Sequence, residues 1–220
     1  MPSKIQSSAK LSQIRGRDHK ARLELLERMI QIGSSLNVAV TAVKTAASAS
    51  ESICDIAANR EAEWGDQKSV VAWNHPFIED LEIAPALDAL NIPVHVPQTT
   101  TDISESSLFR SQAETAMIGI TSADFGLAET ATLIMRTRKA QPLYVSLLPS
   151  IHIAVIGLDQ ILSNLKELYT MLKWDPDQQA KGLTNTMTFI TGPSKTADIE
   201  ATMVQGAHGP REVHIFVITG

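Results

Sequence analysis

The sequence has a single cysteine, Cys54, in 220 residues. A lone thiol closes no intramolecular disulfide, and no Cys/His cluster gives it metal-ligand company. Iron–sulfur ligation by this chain alone is excluded, because a cluster needs several thiolates. Cys54 follows Ile53 in an expected helix and reads as a small buried hydrophobe. Long apolar runs are missing as well, and none approaches the roughly 20 residues that cross a bilayer. Segment 1–17 has no secretory hydrophobic region. It is basic and Ser-rich with no acid before Asp18, a composition similar to that of transit peptides, and we read it as a solvated N-terminal arm. Positive charge is not in excess: 19 Lys and Arg stand against 24 Asp and Glu, a formal net charge of -5. Nothing overall draws such a chain to phosphate backbones. The expectation is a cytoplasmic protein with neither a membrane nor a nucleic-acid partner.

What is present suits a globular core, with 44% hydrophobic and 20% charged residues. Residues 1–35 read as an arm and a helix, capped by Asp18, carrying Leu23, Leu26, Met29 and Ile30 at helical spacing, and ended by Gly33. Whether that helix packs on its own domain or on a second copy, making a homo-oligomer, the sequence leaves open. Residues 36–220 read as one α/β domain with a largely parallel sheet, since β-rich apolar runs alternate with helical stretches. Strands are expected at 38–43, 69–73, 93–96, 116–120, 131–136, 151–156, 187–191 and 212–218. Helices are expected at 48–59, 77–90 (with Pro85 as an irregularity), 104–113, 158–174 and 196–205.

Chemistry concentrates in a few clusters. From Gly119 to Thr132 a strand ends, and Asp124 and Glu129 lie close in sequence. Ligands of open α/β sheets bind beyond the carboxyl ends of strands, where two carboxylates could divide acid and base roles. The plainer reading is that Asp124 caps a turn and Glu129 pairs with Arg136 or Arg138. In the second cluster a strand runs through Gly192-Pro193-Ser194-Lys195-Thr196 into an expected helix, whose free amides would face an anion. It is neither a Walker loop nor a dinucleotide fingerprint. Thr196 equally reads as a simple cap, and Asp198 and Glu200 would repel an anion. In the third cluster, His208 and Arg211 flank the Gly209-Pro210 turn. There Arg211 could clamp a carboxylate and His208 could move a proton, or the turn is structural. His152, at the start of a strand, reads as a satisfied half-buried histidine. Arg136, Arg138 and Lys139 read as a solvated hairpin tip, and without interleaved aromatics they are a weak nucleic-acid signal.

Taken together, Gly119–Thr132, Ser146–Val155, Gly192–Glu200 and Gly206–Glu212 resemble, in order and spacing, the signatures of the LUD domain (lactate-utilization) family, in its short form without cysteine-rich ferredoxin segments. The resemblance covers the chain from Gly119 to its end. It implies a fold like the sugar-phosphate isomerase and CoA-transferase superfamily. It also implies participation in oxidising L-lactate to pyruvate beside iron–sulfur partner proteins, with no cofactor in this chain. The family usually has Gly after Glu-Thr, where this chain has Ala131. Three roles follow: an accessory subunit whose redox centres lie in its partners; an enzyme on a small carboxylate or CoA-type substrate, with Glu129 as nucleophile by analogy to CoA transferases; or a small-anion binding module built on Gly192, Ser194, Lys195 and Thr196 with Arg211.

Overall fold

The computed structural model describes residues 4–62, 67–98, 103–182, 184, 186–197, 203–205 and 208–220. It opens with α1 (Lys4–Arg15) and α2 (His19–Leu36). The Asp18 carboxylate accepts the Ala21 amide at 2.8 Å and starts α2. Gly33 does not end it. A Cβ there would lie 2.8 Å from Val40 Cγ2, so the glycine lets the helix press on the strand that follows. The stop is Asn37, at φ 61, whose amide returns to the Gly33 and Ser34 carbonyls. The expected solvated arm is also corrected, because it is largely α1. Its basic residues find buried acids: Lys10 and Arg17 reach Glu167 at 3.1 and 2.6 Å, Arg15 reaches Asp175, and Ile14 is buried beneath.

The chain continues through β1 (Val38–Val43), α3 (Ala46–Asn59), β2 (Val70–Ala72), α4 (Pro76–Glu79), α5 (Ile83–Asp88), β3 (Val94–His95), α6 (Ile103–Thr115) and β4 (Ile118–Thr121). It then forms β5 (Phe125–Leu127), β6 (Thr132–Arg136), β7 (Ile151–Gly157), β8 (Ile161–Leu162), α7 (Leu165–Trp174), α8 (Pro176–Ala180), β9 (Met187–Ile190), β10 (Lys195–Ala197), β11 (Met203–Gln205) and β12 (Glu212–Ile218). A six-stranded sheet, ordered β1-β12-β7-β4-β2-β3, is parallel throughout. Every residue of β4 and β7 is buried, as a parallel sheet covered on both faces requires. Ile151, Ile153 and Val155 pack with Ile53 of α3 and Leu87 of α5. Ala154 and Ile156 face Met29 of α2, Ala113 of α6 and Leu133 of β6. A second sheet, β8-β5-β6-β9, lies on this latter side, and its outer residues Phe125, Leu127 and Ile134 pack with Ile14 of α1 and Leu168 of α7.

Three expected helices need correction. The 77–90 stretch is two helices, because Pro85 lacks an amide proton and is tolerated only in a first turn, which α5 supplies. The 158–174 stretch begins as a 3-10 turn (Leu158–Gln160) and β8. Its helix starts only after Asn164, whose side chain accepts the Lys166 and Glu167 amides at 3.1 and 3.3 Å. The 196–205 stretch is no helix where it is described: β10 and β11 pair antiparallel, Lys195 against Gln205, and residues 198–202 lie outside the described residues.

Candidate functional site at the carboxyl edge of the sheet

Strands β2 and β4 are neighbours, and the chain leaves them in opposite directions. Beyond β2 it turns to α4 and α5 on one face and then to β3 at the sheet edge. Beyond β4 it crosses to the second sheet on the other face and then to β7. In open α/β sheets such a divergence marks the crevice at the carboxyl edge where ligands bind. The residues that follow the two strand ends there are Trp73, Asn74 and His75 after β2, and Ser122, Ala123 and Asp124 after β4.

Asp124 sits at the mouth of the β5–β6 hairpin and binds two arginines. Arg136 donates its backbone amide at 2.9 Å, Nε at 3.0 Å and Nη2 at 2.7 Å, and Arg138 donates Nη1 at 3.2 Å and also Nη2. The Arg136 side chain is 1% exposed and that of Asp124 6%, whereas Arg138 keeps 33% of its surface open. Burial alone would raise the Asp124 carboxyl, but the Arg138 and Arg136 hydrogen bonds outweigh it and hold the group below the usual carboxylate range. It therefore stays ionised near neutrality and orients the two guanidiniums. Arg136 also donates Nη2 to Gln178 at 2.6 Å, while its buried Nη1 and the buried Ser122 hydroxyl have no partner among the described residues. Among the described residues two guanidiniums share this one carboxylate, which leaves the cluster positive.

His75 joins this charge from the β2 side. Its Nδ1 accepts the Phe77 amide at 3.2 Å, which leaves Nε2 as the donor of the neutral ring. Burial first, then the Arg138 charge, lowers its pKa, with Asp124 opposing. The 138–142 turn is pinned to the same wall: Asn74 donates to the Ala140 carbonyl at 3.2 Å, Gln141 to the Asn74 carbonyl at 3.3 Å and the Trp73 indole to the Pro142 carbonyl at 2.9 Å.

The other residues singled out from the sequence sit elsewhere. Glu129 is at the far end of the β5–β6 hairpin, half exposed, with Arg28 at 3.4 Å. Hydroxyls of Thr130, Thr132 and Thr191 form a chain with 2.7 Å links, so this end adjoins Gly192. The close approach at Gly192 (φ 85) is to the Leu36 carbonyl, 3.3 Å from where a Cβ would lie, and Lys195 donates to that same carbonyl at 3.3 Å. The lysine thus complements the carboxyl end of α2. Ser194 donates its amide to Pro210 at 2.8 Å and accepts the His208 amide at 3.3 Å. With β10 at Lys195–Ala197, the helix-start amides expected at Thr196 are not there, and the Thr196 side chain lies outside the described side chains. Arg211 donates its amide to Ser150 and lines a 250 Å³ cleft with Arg60 and Glu212, at the amino ends of β7 and β12. Glu129 thus neighbours the Gly192 stretch, and Ser194 neighbours His208, but Asp124 stands apart from all of them. His152 is fully buried and donates or accepts at Thr121 Oγ1, 2.8 Å away.

His75 carries no sequence motif, and Arg136 and Arg138, expected at a solvated hairpin tip or paired with Glu129, instead bind Asp124, with Arg136 buried. The available signal was position, because His75 and Asp124 each follow a strand candidate within a few residues. Among the described residues no group of His, Cys, Asp or Glu is arranged to hold a metal ion, and no helix is long and apolar enough to cross a membrane.

Comparison with known proteins agrees with this geometry at the level of fold. The LUD domain family model matches residues 26–218. Lactate utilization protein C of Halalkalibacterium halodurans is 32% identical over 65% of this chain and 59% of its own length. The protein of that name from a Geobacillus species is 31% identical over 68% of this chain and 62% of its own. The chain therefore spans about 60% of the length of these curated relatives. The crystal structure of a DUF162-family protein from Deinococcus radiodurans superposes with a TM-score of 0.60 at 21% identity, covering 90% of this chain and 98% of that one.

Proposed function

We propose, since this chain belongs to the LUD domain family, that it serves a cytoplasmic system oxidising L-lactate to pyruvate. In this reading it binds a small carboxylate between β2 and β4, while iron–sulfur partner proteins hold the redox centres. The observation that carries the ligand is the charge imbalance at the crevice, with two guanidiniums sharing the single Asp124 carboxylate. A carboxylate docking on Arg138 would balance it through charge-assisted hydrogen bonds, with Arg136 fixed behind and the His75 Nε2 as a neutral donor. The lone Cys54 supports the assignment of clusters to partners. A fold kinship with the sugar-phosphate isomerase and CoA-transferase superfamily belongs to this same reading. So does residues 36–220 acting as the functional unit.

Titration with L-lactate and pyruvate, against the uncharged lactamide, tests the site. Saturating carboxylate should raise stability, by about 2.7 kcal/mol at one hundred times the dissociation constant. Lactamide should do nothing, and Arg138→Gln should weaken binding about tenfold. An equal response to lactamide, or an indifferent Arg138→Gln, removes the site.

A second reading has one observation in its favour. The Glu129 carboxylate is half exposed at the end of the threonine chain, accessible to an acyl-CoA thioester. Gly192, Ser194, Lys195, Thr196, His208 and Arg211 would then serve the ligand's anionic end. Mass spectrometry of the Glu129 peptide after acyl-CoA treatment decides it, because the absence of an adduct ends that reading.

A further inference from the structure

Immediately beside the crevice, at the carboxyl end of β3, lies a cleft of about 440 Å³. Its lining is mainly apolar: Val96 and Pro97 after β3, Leu108 and Phe109 from α6, and Pro142 and Tyr144 from the loop beyond Arg138. Leu108 is 61% exposed and Val96 46%, large apolar surfaces left in water at one place. The Phe109 and Tyr144 rings sit 6.0 Å apart at 47°, forming an aromatic floor. The two charges that line the cleft, Lys139 and Glu105, are of opposite sign, so it carries no net charge of its own. Its size falls within the range of small-molecule sites. A three-carbon acid of six heavy atoms fills only part of such a volume.

The cleft and the crevice share a wall. Asn74 and Trp73, which leave β2 toward the crevice, are hydrogen-bonded to Ala140 and Pro142, which line the cleft. Lys139 of the cleft directly follows Arg138 of the crevice. Consecutive Cα atoms lie about 3.8 Å apart, so the backbone that carries Arg138 adjoins the lining of the cleft. That adjacency is within reach of a short organic arm.

We propose that the chain takes a monocarboxylate bearing an apolar, ring-sized arm, with its carboxylate on Arg138 and its arm against Tyr144, Phe109 and Leu108. The proposal rests on the reading of Arg138 as a carboxylate site and adds the ligand class: an acid larger than lactate. The apolar lining selects the arm, and the positive crevice orients the acid.

The test compares L-lactate with L-3-phenyllactate by isothermal titration of the full chain, in the wild type and in Arg138→Gln, Tyr144→Ala and Leu108→Ser. Leu108 is largely exposed, so its variant keeps the test open should Tyr144→Ala fold poorly. Phenyllactate is expected to bind at least tenfold tighter than lactate. Leu108→Ser and Tyr144→Ala should bring its affinity down toward that of lactate, and Arg138→Gln should weaken both acids. Equal affinities for the two acids, both weakened by Arg138→Gln, overturn the cleft's role and leave the carboxylate site standing. Phenyllactate binding that is indifferent to Arg138→Gln overturns the spanning ligand and the carboxylate site together.

Discussion

Acidification should expose the one histidine enclosed in the core. His152 lies on β7 between β4 and β12, with Gly119 and Val213 as its register partners. Its Nε2 meets Thr121, and its Nδ1 is buried without a partner among the described residues. Burial, with a smaller contribution from the His214 charge, lowers its pKa to about 3. In the unfolded chain the ring returns to about 6.5. The unfolded state therefore takes up a proton first as pH falls, and the folded state pays about 1.4 kcal/mol for each unit below 6.5 until the folded ring itself protonates. From pH 7.5 to pH 5 the loss from this one residue is about 2 kcal/mol. Depressed carboxylates act mainly at lower pH, and His75 acts in both proteins, so a difference between the wild type and His152→Gln isolates the effect. Glutamine keeps a hydrogen bond to Thr121 within reach. Urea denaturation at pH 7.5, 6 and 5 should show the wild type losing about 2 kcal/mol more than the variant over that range, whatever their stabilities at pH 7.5. Parallel losses, within about 0.5 kcal/mol, would refute the account of His152 as a neutral buried ring.

Asp124→Asn should cost about 3–5 kcal/mol in urea denaturation, because it leaves the buried Arg136 guanidinium without its counter-charge; a loss below about 1 kcal/mol would show that Asp124 does not hold the arginines. Ala131 takes φ 46, so Ala131→Gly should leave stability unchanged or raise it by up to about 1 kcal/mol, measured as a shift in denaturant midpoint, and a clear loss would contradict the strain. Glu167→Gln should loosen α1 by removing the acid shared by Lys10 and Arg17, read as faster tryptic cleavage at Arg15 and Arg17 with the rest of the chain intact. Burial alone would raise Glu167, but the Arg17 hydrogen bond and the Ser163 amide hold it below the ordinary range. Its contribution is therefore present above about pH 4.3 and lost as pH falls through the folded value, so wild-type α1 should loosen in acid as well.

Much of the fold could be read from runs of one texture. Strands β1, β4, β7 and β12 are short β-branched stretches bounded by polar or glycine turns, and each lies within a residue or two of its expected place. The parts that escaped depend on partners distant in sequence. The 196–205 stretch has no apolar stripe that demands a helix, and its two described ends instead satisfy their backbones by pairing with each other. The N-terminal basic run reads as solvated because its acids, Glu167 and Asp175, lie some 150 residues away. Strand β5 is three residues long and contains Gly126, so its own sequence gives no strand signal. It exists because Gly126 lets Met29 and Ile156 pack directly on its backbone, 3.2 Å from where a Cβ would lie.

That short strand also decides where the chemistry sits. Asp124 and Glu129 look like a pair only if the chain between them is compact. Once Phe125–Leu127 is extended and paired with β6, five residues of chain can separate the two carboxylates by up to about 16 Å. The same pairing, Phe125 against Ile134, carries Asp124 to the side of Arg136, twelve positions away in sequence. The arginines that look like a solvated tip thereby become the inner wall of the crevice. In this molecule a hairpin register converts an apparent acid pair into a carboxylate–arginine cluster, and with it the expectation shifts from proton transfer to anion binding. The charge signs alone carry no such information, because it is the pairing of β5 with β6 that brings Arg136 and Arg138 to Asp124.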